Sequence, residues 1–449
     1  MYQHVLNFRQ VPRSNSTMSV FALPILASAY AVVAAPLFEF FSHSPALGGT
    51  MEARYDSRIF WPMLAATSVV SIFLTSPSRV RFTLPPHIFC LVLYLGLAGA
   101  STFWAFSPET SFTRFMQQIM IVTSIIVPAL ITIRSLDMMR GLFAWFAFAC
   151  VLNVIFIFAS PVVMVNGAYA QGLHGYMSGK NALGQCAAVA LLLSLHEMLH
   201  RGWRRVGGVI IGVTSLTLIV MCESKTSFGL AILVPFLAAI ILTVYKVARL
   251  SPAILPVTIV CCYLALSTIT NININRVSYI LYGDWTWTGR TAIWDFLFYE
   301  IRRKPVLGWG YQSFWLAGPG APSIVDAPGW VKSMPNGHNG YYDTIVETGY
   351  IGLMLLLAFV SLTLHAIGRV ADKDLKRAWV LLSLSILVII YNGLESIWMR
   401  GFEFLWVVFL IVAADAARYW KSSRRVRVAP LVQRHSPIRQ ERGIGAGRI

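Results

Sequence analysis

The sequence predicts an all-α polytopic membrane protein of about twelve transmembrane helices with one large outer loop containing short helices, and three observations predict it. Of 449 residues, 57% are hydrophobic and only 12% charged, where a soluble protein carries about a quarter charged residues. Apolar runs long enough to cross a bilayer recur along the whole chain. Lysine and arginine concentrate in every second connection between those runs. Lipid offers the backbone no water, so each run must satisfy its own amides as a helix.

The spans are read near residues 18–42, 58–76, 85–105, 114–133, 141–165, 181–199, 207–222, 227–245, 252–271, 341–367, 378–394 and 401–417. The first follows Arg9 and Arg13 and contains a small Ala27-Ser28-Ala29 stretch resembling a signal peptide, but its apolar run continues well past that point. It is therefore expected to be an uncleaved first helix. One set of connections holds Arg79, Arg81, Arg134, Arg140, Arg201, Arg204, Arg205, Lys246, Arg249, Arg369, Lys373, Lys376 and Arg377; the short connections between them hold only Arg54, Arg58, Arg114, Lys180, Lys225 and Arg400. The positive-inside rule places the first set, and both termini with it, in the cytoplasm of a bacterial inner membrane. The net charge of +17 is thus accounted for without nucleic acid, and the basic tail lies against the anionic leaflet. Residue 310 should be outside and residue 435 inside. Single cysteines at the two positions, in a background without native cysteines, should react oppositely with an impermeant thiol reagent in intact spheroplasts; labelling at 435 alone would overturn the topology.

The organisation is a cytoplasmic N-terminus (1–17), nine helices (18–271), an outer loop (272–340), three helices (341–417) and a basic cytoplasmic tail (418–449). All six cysteines fall within spans or at their edges, so no disulfide framework is indicated. The outer loop is rich in Trp, Gly and Pro, which suits folded structure. Within it, residues 290–303 read as a helix that places Arg290, Trp294 and Phe298 on one face, with Thr288 as N-cap and Lys304-Pro305 as its end. Aromatics beside Arg302, Arg303 and Lys304 suit a helix lying along the membrane interface.

Chemistry is expected where Pro335-Asn336-Gly337 forms a turn ahead of the tenth span, with Asn336 as cap and His338 in the first turn at the outer surface. The positive helix end attracts anions, and a neutral imidazole at a wet interface can accept a proton as a general base. Charged residues at membrane depth or its edge, Lys180, Glu223, Glu347, Glu395 and Arg400, are further candidates. Glu347, nine residues past His338, faces the other side of its helix and is expected to pair with a neighbouring helix. For Glu395 and Arg400 a structural ion pair and a substrate role carry equal weight.

His338-Asn339 followed by Gly349 and Gly352 resembles a pattern of the O-antigen ligase and polymerase superfamily, and Gly349 and Gly352 would admit a close neighbouring helix. Thr288-Gly289-Arg290 with Trp294, Gly308-Trp309-Gly310, and Gly179-Lys180-Asn181 with Leu183-Gly184 resemble the same family, as does the long loop before the histidine helix. Exopolysaccharide-production members look most similar.

The resemblance implies an enzyme that moves a glycan from a polyprenyl-pyrophosphate donor to a saccharide acceptor in the outer leaflet. It needs no metal and no cofactor, and inverts the sugar's configuration. It implies catalytic His338 and Arg290, the base and the pyrophosphate cation. Lys225, Lys180, Asn339, Trp294 and Arg400 are then the substrate-binding residues, with Glu347 and Glu395 supporting. Where the family often has arginine after a serine, this chain has Ser224-Lys225, a point charge in place of a fork. The aromatic stretch from Trp309 to Trp330 would stack on sugars. Partners implied are membrane lipid and, for a polymerase, a chain-length regulator; nucleic acid is not among them. Polymerisation of repeat units comes first and ligation to a lipid core second. A flippase is the rival from another class, although no repeated halves are visible. His196-Glu197-Met198-Leu199-His200 has zinc-protease spacing, but it lies at the cytoplasmic end of a span beside Arg201, Arg204 and Arg205 without a convincing third ligand.

Overall fold

The computed structural model describes residues 22–42, 55–74, 84–131, 137–159, 173–270, 274–401 and 403–424. The N-terminal segment and most of the basic tail, residue 435 included, lie outside them. The described residues are helical with no strand, and each of the twelve apolar segments coincides with a helix or helical run.

α1 (Leu23–Ala29) passes through a π-helical turn (Tyr30–Ala34) into α2 (Ala35–Ser42). Then come α3 (Tyr55–Leu74), α4 (Pro86–Ala100), α5 (Pro108–Ile131), α6 (Met138–Ala159), α7 (Lys180–Met198), α8 (Trp203–Met221), α9 (Lys225–Ala248) and α10 (Ile254–Ile269). The loop region holds α11 (Ile274–Tyr282), α12 (Arg290–Arg303) and α13 (Pro322–Val325), and the chain ends with α14 (Gly340–Ala371), α15 (Leu375–Tyr391) and α16 (Phe404–Arg424). Seven of the helical runs are long and apolar enough to cross a membrane by length and composition: α1–α2, α4 with its 3-10 extension, α5, α6, α8, α9 and α14. α10 and α15 have 16 and 17 residues. α7 and α16 carry Gln185, Glu197 and Asp415, polar groups buried inside the bundle.

α16 is the axis of the bundle. From Phe404 to Ala417 almost every residue is buried, on every face, as expected for a helix that is apolar all round. α4 and α5 pack against it together with α1, α14 and α15, while α7 pairs with α8 and α9. α7, α9 and α14 share a polarity: they begin at the end where Asn181, Ser224 and His338 meet Glu395 or its partners. They finish at the other end, where Glu197, Arg204, Asp137, Arg377 and Asp415 form an ion network and Asp372 meets Lys246 and Arg249.

The loop region has a core of its own, built by Trp287, Ile293, Trp294, Leu297, Trp309, Phe314, Trp315 and Val331 against Ile345 and Val346 of α14. This alters the expected interfacial helix. α12 spans 290–303 and stops at Lys304 as read from the sequence, but its Trp294 side is buried inside the loop. Arg303 pairs with Glu300 and Asp326 at 3.0 and 2.5 Å, and Lys304 stacks over Trp309. The cap of α12 is Gly289, not Thr288: Trp287, Thr288 and Gly289 all adopt positive φ, a turn held by Asp284, which accepts from the amides of Thr286 and Thr288.

Gly349 also differs from expectation. It breaks α14 with φ +69°, and loop backbone, not a helix, occupies the space above it: a Cβ there would sit 1.9 Å from the Val306 carbonyl oxygen. The break frees carbonyls of α14, so Trp309 and Gly310 donate their amides to Val346 and Glu347 at 2.8 Å, and Tyr350 donates to Pro305 at 2.9 Å. The Gly308-Trp309-Gly310 and Gly349 motifs are the two halves of one backbone crossing. Gly352 faces its own Thr348 and, at 3.7 Å, Leu97 of α4.

Candidate functional site

The site assembles at the ends of five helices. Asn339 is the N-cap of α14, accepting from the amides of Tyr341 and Tyr342 at 3.1 and 3.2 Å. Asn336 does not cap the helix; it accepts from the amide of His338 at 3.0 Å and closes the preceding turn. His338 is therefore one residue outside the helix, with φ +45°. A non-glycine residue held in the left-handed region costs about 1–3 kcal/mol, and such strain clusters at functional sites. Three residues around it hold it there. Trp294 donates from its indole nitrogen to the Gly337 carbonyl at 3.1 Å. Asn339 donates its amide to Ser396 and its side-chain NH2 to Gly393. Gly340 donates to the carbonyls of Asn392 and Glu395.

Glu395 joins the parts. Its Oε2 lies 3.1 Å from Nδ1 of His338, and its Oε1 accepts from Arg290 at 3.1 Å and from Asn181 at 3.2 Å. Burial alone would raise this carboxyl's pKa, but the His338 hydrogen bond, the charges of His338 and Arg290, and the Asn181 amide together hold it below the usual carboxylate range. An ionised carboxylate only accepts, so Nδ1 carries a hydrogen; in the neutral imidazole Nε2 is then the lone-pair nitrogen. Arg290, the first residue of α12, also donates to the carbonyls of Leu394 and Trp287. From Asn181 a chain of hydrogen bonds runs through Ser224 and Ser227 to Tyr391, tying α7, α9 and α15 to the site. Lys180 and Lys225 open α7 and α9 at this edge, next to Asn181 and Ser224; Lys225 is exposed and Lys180 half-buried. Neither makes a side-chain hydrogen bond or ion pair among the described residues. The N-termini of α7 and α9 are thus tied to Glu395 through Asn181 and Ser224.

Arg400 and Glu347 occupy a different place. Arg400 is 2% exposed and donates to Glu347 at 2.7 Å and to Asp343 at 3.2 Å. Glu347 therefore pairs across to the 392–403 connection, not with a neighbouring helix as its face suggested. Asp343 also accepts from the Trp315 indole at 2.8 Å and the Gly337 amide at 3.0 Å. The buried charges brace the turn that carries His338. Sequence reasoning missed Asp343, although its spacing of four from Glu347 places both carboxylates on one helix face. It also missed Arg114, whose guanidinium donates to the Gln312 carbonyl. Trp294, 5% exposed, is a brace of the same kind. Glu223, exposed, takes no part in these contacts.

Residues 210–357 match the family described as O-antigen ligase. The match covers about a third of the chain, which is similar to this family there. The matched segment holds Lys225, Arg290, Trp294, His338, Asn339 and Glu347, while Lys180, Glu395 and Arg400 lie outside it. The chain is also similar to the exopolysaccharide production protein ExoQ of Rhizobium meliloti, with 24% identity over 294 residues, 62% of this chain and 65% of that protein. It is similar to a Rickettsia conorii protein provisionally named a polysaccharide ligase, with 33% identity over 89 residues, 19% of this chain and 22% of that one. The chain thus spans just under two thirds of the first relative's length in this match.

The zinc-protease spacing lies at the opposite end of α7. His196, Glu197 and His200 bring ligand atoms within 4.8 Å of one another. Arg204, however, grips both carboxylate oxygens of Glu197 at 2.6 Å, and His200 Nδ1 is engaged with the His196 carbonyl at 3.0 Å. A guanidinium on the central carboxylate disfavours a second cation there.

Proposed function

We propose that the protein transfers a glycan from a polyprenyl-pyrophosphate carrier to a sugar hydroxyl at the outer face of the bacterial inner membrane, with repeat-unit polymerisation ahead of ligation. The observation that carries this reading is the single carboxylate, Glu395, that spans His338 and Arg290. His338 Nε2 takes the proton of the attacking hydroxyl, and Glu395 fixes the tautomer and stabilises the imidazolium that forms. The hydroxyl oxygen bonds to the anomeric carbon as the bond to pyrophosphate breaks, with inversion and without metal. Arg290, Lys180, Lys225 and the N-termini of α7 and α9 receive the charge that builds on the departing pyrophosphate. The twelve helices are read as twelve crossings, with the site on the outer side. The match to an O-antigen ligase domain and the similarity to an exopolysaccharide production protein support this chemistry.

Polymerase and ligase share the donor and differ in the acceptor. In a deletion strain we expect single lipid-linked repeat units to persist and long polymer to vanish. Accumulation of full-length polymer on its lipid carrier would replace the polymerase reading with the ligase one. Chelators should leave purified enzyme active, and His196→Ala and His200→Ala should stay within about twofold of the parent activity. Stoichiometric zinc lost with either histidine would instead mark a metal site.

A further inference from the structure

The sequence offers every aromatic from Trp309 to Trp330 as a sugar platform, and the structure removes nearly all of them. Trp309, Phe314 and Trp315 are core residues of the loop region, between 0 and 9% exposed. All fourteen tryptophans lie among the described residues, and three are exposed: Trp203, Trp285 and Trp330. Trp203 opens α8 at the end of the bundle away from the site. Trp285 stacks on Tyr279 of α11, with ring centroids 4.7 Å apart. Trp330 alone stands beside the candidate site. Its Cη2 is 3.7 Å from where a Cβ on Gly289 would be, one residue from Arg290. The ring thus lies at van der Waals range over this stretch of backbone.

The turn that carries the ring is fixed. Trp330 sits in a 3-10 turn, Gly329–Ser333, whose Val331 is buried in the loop core. Ser333 Oγ donates to the Trp330 carbonyl at 2.8 Å, and Gly329 takes φ +46° to start the turn. A fixed turn thus presents a large aromatic side chain, 52% exposed, over the backbone one residue from Arg290. The first sugars of a pyrophosphate-linked glycan lie within a few bonds of the phosphate, and the apolar face of a pyranose suits an indole face.

We infer that Trp330 is a saccharide platform of the donor site, stacking on the glycan beside the pyrophosphate that Arg290 receives. This rests on the glycosyl-transfer reading above. The test uses full-length protein in nanodiscs with a polyprenyl-pyrophosphate oligosaccharide as donor. Trp330→Ala should raise KM for the donor about tenfold with little change in kcat, and Trp330→Tyr should recover to within about threefold, since it restores an aromatic face. The free oligosaccharide, cleaved from its lipid, should inhibit the parent protein competitively and Trp330→Ala about tenfold less well. Trp285→Ala, equally exposed but stacked on α11, should leave KM unchanged. A parent-like KM and parent-like inhibition in Trp330→Ala would overturn the assignment. So would an equal rise in KM from Trp285→Ala, which would mark a membrane anchor. If the parent protein itself transfers nothing from this donor, the functional reading fails, a result separate from either of these.

Discussion

Replacing His338 by alanine is expected to lower glycosyl transfer by about 10²–10⁴-fold, the usual effect of removing a general base, while the protein still inserts and folds. The side chain makes one strong contact, Nδ1 to Glu395 at 3.1 Å, and the turn around it is held by other residues: Trp294, Asn339, Ser396 and Asp343. Arg290→Ala should lose most activity, and Arg290→Lys should remain impaired because lysine lacks the fork. Glu395→Gln separates positioning from chemistry. It keeps the shape but can donate to Nδ1 and so favour the wrong tautomer, and activity should fall by less than in His338→Ala. The double variant should lose less than the product of the two single losses, because the part of the Glu395 effect that acts through His338 is already gone. Rates measured on purified protein with a lipid-linked donor would decide. Polymer made at the normal rate by His338→Ala would remove His338 from the base role.

Arg400→Ala should be the most damaging of the structural changes. It leaves Asp343 and Glu347 facing each other in a buried place without their common cation, and breaking such a group by removing one partner costs about 3–5 kcal/mol. Thermal unfolding in detergent should show a lower midpoint and the yield should drop. Activity should be lost with it, because Asp343 also holds the Gly337 amide beside His338. Adding Glu347→Gln to Arg400→Ala should restore part of the stability by removing one orphaned charge. If Arg400→Ala unfolds like the parent protein while KM for the donor rises, Arg400 contacts substrate and the brace reading is wrong.

The sequence by itself determined the helical class, the positions of the apolar helical runs and the extent of α12. These are local properties. Hydropathy, helix end signals and loop charge are written along the chain and act over a few residues. The partners were settled only by the tertiary structure. Glu395 lies 57 residues from His338 and 105 from Arg290 in the chain, and no period or motif announces that one carboxylate joins both. The same holds for Arg400, which the sequence left balanced between ion pair and substrate contact, and for Gly349, which admits a loop where a helix was expected. The His338 cap was misplaced by three residues because Asn336 and Asn339 offer the same capping chemistry. The choice between them depends on Ser396 and Gly393, which reach Asn339 from the far side of the turn. A sugar platform was legible only as a stretch of aromatics; burial of the loop core against α14 singled out Trp330, because packing, not composition, decides which apolar faces remain in water.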